Sequence, residues 1–156
     1  MKSIAIAVCL MLLLVAIPLQ AQTLTDAQKA EIEKILIENH KELIAAINRL
    51  DVAGYVKFIS DSFQERVGGG NVSARSKDPF LKWIGDAWSQ RASQTVSPFD
   101  IRAFVLSPDS AYTLYVGGVQ ITSKNGRKGG YGNAVTYIWR KEAGGWKVVH
   151  IHESNW

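Results

Sequence analysis

The sequence predicts an α+β domain whose helices come first and pack on one face of an antiparallel sheet. Three observations carry that prediction. Apolar residues recur at helical spacing as far as Trp88. From Ser97 onward they alternate instead, as half-buried strands do. The alternating runs are separated by Pro108-Asp109-Ser110, Asn125-Gly126 and Gly144-Gly145, which are turn signals. Helices gathered before strands give an arrangement with the helices on one side of the sheet.

The first residues stand apart from that domain. Lys2 precedes an almost wholly apolar run, Ile4 to Leu19, and Gln20-Ala21-Gln22 offers a small residue at a cleavage point. The run is shorter than the roughly 20 residues a membrane-spanning helix needs. Residues 1–21 are expected to be a cleaved signal peptide, with an uncleaved N-terminal anchor as the alternative, because Leu19 is large for its place before the cut. Cys9 lies within the run, so a lipid-anchored mature cysteine is not expected. The expected address is a bacterial periplasm or the outside medium, with no membrane association once the leader is gone. The chain after residue 21 has no cysteine, which excludes disulfides, thiolate metal sites and cysteine nucleophiles there. About 135 residues remain, enough for one domain with a substantial core. They carry 17 basic against 14 acidic side chains, a spread-out net charge of +3. Lys124, Arg127 and Lys128 cluster at a hairpin tip rather than as a stripe along one element, so no nucleic-acid partner is expected.

Thr25-Asp26-Ala27-Gln28 is a capping box that opens the first helix. Ile32, Ile35, Leu36, Leu43, Ile47 and Leu50 form its apolar stripe, and His40, set among charged residues, is expected on its solvated face. Asp51 caps a second, shorter helix with Tyr55, Phe58 and Ile59 on the inner side. Phe63 to Val67 reads as a strand ended by a flexible turn at Gly68-Gly69-Gly70; no Lys-Ser or Lys-Thr follows, so these glycines do not make a phosphate loop. Asp78-Pro79 starts a third helix with the stripe Phe80, Trp83, Ile84, Ala87 and Trp88. Phe99 to Val105 and Ala111 to Thr122 are strands, the latter interrupted by Gly117-Gly118, which marks a bulge or sharp bend. A long hairpin from about Gly130 to the end closes the domain. The predicted order is α-α-β-α-β-β-β-β over residues 24–156.

That order resembles the nuclear-transport-factor-2-like (NTF2-like, cystatin-like) superfamily of cone-shaped domains, in its SnoaL-like (DUF4440-type) branch. The nearest likeness is to the association (hub) domain of calcium/calmodulin-dependent protein kinase II. The residues that carry it are Trp88-Ser89, Asp109-Ser110-Ala111, Tyr115, Gln120, Thr136, Trp139, Gly144, Trp146, Val149, His150, His152 and Ser154. From Asp109 to Ser154 the two patterns run together without a gap. The resemblance implies a curved sheet around the helices, a pocket inside the curve, and pairing into a homodimer through the outer sheet face. The hub pocket is basic, whereas the corresponding positions here hold Phe80, Gly117, Tyr137 and Glu153. A hollow stripped of cations in this way would disfavour a small carboxylate.

The binding residues this implies are Tyr55, Phe80, Trp83, Tyr137, Trp139 and Glu153, around a small neutral, aromatic or cationic molecule; the aromatic ones serve equally as core packing. A partner protein is the other possible occupant. No cofactor is called for. Superfamily enzymes such as ketosteroid isomerase and the polyketide cyclases use a carboxylate or histidine in the cone as a general acid or base, so Glu153 or His152 is the alternative catalytic residue. A non-catalytic binding domain is the preferred expectation, and a purely oligomerising module a further one. Strand alternation sets His150 and His152 on one face and Glu153 on the other. Two histidines so placed lack an evident third ligand for zinc, and no metal site is expected.

Overall fold

The computed structural model describes residues 23–67 and 73–156. The expected signal peptide, with Cys9, and the Gly68-Gly69-Gly70 turn lie outside the described residues. The elements are α1 (Asp26–Asn48), α2 (Val52–Val56), β1 (Ile59–Val67), β2 (Ser73–Ser76), α3 (Lys77–Ser89), β3 (Arg91–Ser107), β4 (Ser110–Ser123), β5 (Lys128–Glu142) and β6 (Gly145–Asn155). The strands form one six-stranded sheet in the order β2-β1-β6-β5-β4-β3. Neighbours run antiparallel except β1 and β6, which are parallel. The leading helices and the single sheet give the α+β architecture expected from the sequence.

The α1 helix begins as its sequence dictates. Thr25 accepts from the Gln28 backbone N–H at 3.2 Å, and Gln28 Oε1 accepts from the Thr25 N–H at 2.9 Å. Its C-terminus is a Schellman turn, in which Leu50 N–H donates to Ile47 O and Asp51 N–H to Ala46 O. Leu50 takes the left-handed position that glycine usually fills, at φ 57°, and its side chain packs on the core in return. Asp51 then caps α2 by accepting from the Gly54 N–H at 2.8 Å.

His40 is the main correction to the expected helix faces. It is fully buried, not solvated. It falls four residues after Leu36 and three before Leu43, so the stripe itself carries it inward despite charged neighbours.

The strands extend beyond the expected ends. β2 has no apolar alternation in Ser73-Ala74-Arg75-Ser76 and forms by backbone pairing with β1 alone. β3 starts at Arg91 rather than near Ser97, because its inward position Gln94 is polar and breaks the apolar pattern. α3 starts at Lys77, which puts Pro79 third in the helix, still within the turn whose N–H groups lack intrahelical acceptors. The β3–β4 ladder slips between Pro98 and Asp100, so Phe99 bulges out, 83% exposed, opposite Gly117. A Cβ on Gly117 would lie 2.5 Å from Ser97 O, so the backbone of β3 folds directly over this residue.

Candidate functional site

Inside the curve is a cavity of about 90 Å³, bounded by α3 and the inner faces of β1, β3, β4, β5 and β6. Its aromatic wall follows from two periodicities. On α3, Phe80, Trp83 and Trp88 share the inward stripe. On the sheet, alternation sends Tyr115 of β4 and Tyr131 and Tyr137 of β5 inward. Tyr55 of α2 completes the wall, its ring 6.1 Å from Phe80 and 5.7 Å from Trp88. Burial pushes the Tyr55 and Tyr137 hydroxyls well above the ordinary tyrosine range, so both stay neutral donors.

Polar groups interrupt the wall in a fixed pattern. Glu153 of β6 and Glu65 of β1 both face inward. Burial raises the Glu153 carboxyl above its ordinary value; the hydrogen bond from Asn133 opposes, Glu65 adds to the rise, and Arg91 opposes. Asn133 Nδ2 donates to Tyr115 Oη at 2.9 Å and to Glu153 Oε1 at 3.3 Å. Burial likewise raises Glu65, opposed by Arg75, whose Nη1 donates to Glu65 Oε2 at 2.7 Å. The Arg75 guanidinium also lies 4.5 Å over the Trp83 ring. Asn133 Oδ1 and Gln94 Oε1 are buried acceptors with no protein partner. Arg91, half-buried at the start of β3, lines the cavity and forms no ion pair among the described residues.

Of the residues expected from sequence, Tyr55, Phe80, Trp83, Tyr137 and Glu153 line this cavity. Trp83 stands at its mouth, 45% exposed. Trp139 does not line it. It sits one inward rung deeper than Tyr137, fully buried, where its indole N–H donates to Thr113 Oγ1 at 2.7 Å. The same hydroxyl pairs with His40 Nδ1 at 2.8 Å, and the His40 ring meets Tyr115 and Tyr137 edge-on. Burial drives His40 down to a pKa of about 3, so it is neutral and closes the floor beneath the two tyrosines. His152 lies exposed on the opposite sheet face, 3.5 Å from Ser154 Oγ, and has no access to the hollow. A general base inside the cavity would therefore be a carboxylate.

Sequence reasoning missed Glu65, Arg91, Gln94 and Asn133. Glu65 and Asn133 carried a signal, since each stands two residues from an inward apolar one, Phe63 and Val135. The expectation of a hollow without cations fails on Arg91, which enters from β3, away from the four positions the resemblance compared. At one of those four, Gly117, the overlying β3 backbone leaves no space for a side chain.

The family model described as the calcium/calmodulin dependent protein kinase II association domain matches residues 28–156. The chain belongs to that family. No curated protein matches this association domain significantly. Among solved structures it is similar to an NTF2-like superfamily protein from Salmonella enterica serovar Typhimurium, at TM-score 0.71 and 14% identity, covering 80% of this chain and 91% of that one. It is also similar to the S. rosetta CaMKII hub, at TM-score 0.67 and 23% identity, covering 80% and 96%. A type 2 hexachlorocyclohexane dehydrochlorinase superposes at TM-score 0.70 with 8% identity, covering 84% and 89%. At these identities the likeness establishes a shared fold, and one fold hosts both enzymes and assembly modules.

Proposed function

We propose that this association domain is an exported binding module, without catalysis, for a small molecule with a flat apolar body and hydrogen-bond-donating polar groups. The observation that carries this reading is the pair of buried carbonyl oxygens, Gln94 Oε1 and Asn133 Oδ1, left without partners in an aromatic-walled cavity. A buried acceptor without a partner costs about 1–3 kcal/mol, and a ligand's N–H or O–H recovers that cost. Tyr, Trp and Phe rings supply the flat contact. Thermal shift of the mature chain with benzamide, benzylamine and toluene tests it. The two donor-bearing probes are expected to raise Tm, toluene to leave it unchanged, and Asn133→Leu to abolish the response. No shift with either donor-bearing probe rejects the reading. Export is tested by the intact mass of protein expressed in a bacterium, which should begin at Gln22.

A second observation supports homodimer formation through the outer sheet face. Cross-strand register lines up Phe104, Tyr112, Ile138 and His150 there, with Phe104 and Tyr112 stacked at 4.7 Å. Val116 extends this apolar surface. Light scattering is expected to give a dimer for the mature chain and a monomer for Phe104→Glu; a monomeric parent chain removes this reading and leaves the cavity untouched.

A further inference from the structure

We infer that the cavity's ligand is a zwitterion, a compact molecule carrying an ammonium-type donor at one end and a carboxylate-type acceptor at the other. This rests on the binding reading above and adds the ligand's charge pattern. The cavity contains two kinds of charge. The Glu65–Arg75 pair is already neutralised within the protein at 2.7 Å. Arg91 and Glu153 are not: both line the cavity, neither has an ion-pair partner among the described residues, and they do not pair with each other. Half-burying a guanidinium and a carboxylate in one hollow without contact is costly unless something bridges them.

The lining also holds polar groups that the protein leaves unpartnered. Asn133 donates its Nδ2 to Glu153 and leaves its Oδ1 an acceptor with no donor, and Gln94 Oε1, elsewhere in the lining, is a second. Carboxylate plus two amide oxygens is an acceptor set suited to a group with several N–H bonds, such as a primary ammonium. Arg91 offers only donors and suits a planar carboxylate. An ammonium alone leaves Arg91 unpaired; a carboxylate alone leaves Glu153 and both amide oxygens unpaired. A molecule bearing both groups satisfies all four residues and adds no net charge. The rings of Tyr115 and Tyr137, also in the lining, offer apolar contact to a linker.

The test uses three probes on one flat skeleton: para-(aminomethyl)benzoate, para-methylbenzylamine and para-methylbenzoate, titrated calorimetrically into the mature chain at neutral pH. The zwitterion is expected to bind about tenfold tighter than either single-charge probe, the return on one added charge-assisted hydrogen bond. Arg91→Met should reduce it to the affinity of the amine, Glu153→Gln to that of the carboxylate probe, and Arg91→Lys should keep part of the advantage. Equal binding of amine and zwitterion overturns the zwitterion assignment while the donor-binding cavity stands. Tightest binding by the carboxylate probe overturns it as well. Failure of all three probes rejects the cavity as a binding site and this inference with it. Melting curves of each variant confirm the fold; if Arg91→Met does not fold, the three affinities of the parent chain and of Arg91→Lys decide alone.

Discussion

His40 shows how one buried side chain couples two layers and how the sequence can be misread at that scale. Its immediate neighbours Asn39 and Lys41 are polar, yet its helical spacing from Leu36 and Leu43 places it in the core. The spacing, not the neighbours, was the signal to follow. Because burial lowers its pKa from 6.5 to about 3, the unfolded chain binds a proton that the folded chain refuses. The stability His40 contributes is therefore complete above pH 6.5 and is lost as pH falls towards about 3. We expect His40→Leu to flatten the acid limb over that range in urea titrations at stepped pH; parallel limbs would show that the imidazole titrates normally. Gly117 is constrained by space. Gly117→Ala sets a methyl 2.5 Å from Ser97 O, a backbone atom that cannot swing aside. A loss of about 2 kcal/mol or more in unfolding free energy is expected, and an unchanged midpoint would mean that the bulge relaxes.

At the level of elements, the turns were the most legible features. Gly126 and Gly145 adopt φ of +84° and +101°, where side chains are strained, so their places at hairpin ends could be read directly. The short β2 and the first turns of β3 could not, because tertiary pairing rather than their own pattern holds them. An example is Asn48 at the end of α1. Its Oδ1 accepts from the Val96 N–H at 2.7 Å and its Nδ2 donates to Val96 O at 3.4 Å, so the side chain serves as a strand partner for β3. Nothing in the α1 sequence marks this role. Asn48→Ala is expected to cost about 1–2 kcal/mol with the urea m-value unchanged. An m-value that falls would indicate that β3 has come loose instead.

For the molecule as a whole, stability and the candidate site pull in opposite directions. Glu153 and Glu65 have folded pKa values raised by burial. Their protonated forms favour the fold, an advantage present below the ordinary carboxylate range and lost as pH rises through the folded values. Ionising Glu153, which has no ion-pair partner among the described residues, is thus a cost to the fold. Glu153→Gln is expected to raise Tm at pH 7 and to abolish binding of amine probes. A lower Tm would assign Glu153 a structural role as the acceptor for Asn133. The aromatic half of this site was legible because rings recur at inward positions of two regular periods. The polar half was not: Gln94, Arg91 and Asn133 acquire meaning only when β3 and β5 curve towards the same space.

The parallel contact between β1 and β6 has a temporal consequence. Ile59 sits beside Val148, and Glu65 beside Ile151, across most of the domain's length. Antiparallel hairpins can zip as each arrives, but β1 waits for a neighbour encoded far downstream. During synthesis, β1 therefore has only the short β2 to pair with until the β6 segment has emerged. Ribosome-stalled fragments ending before Trp146 should accordingly remain protease-sensitive.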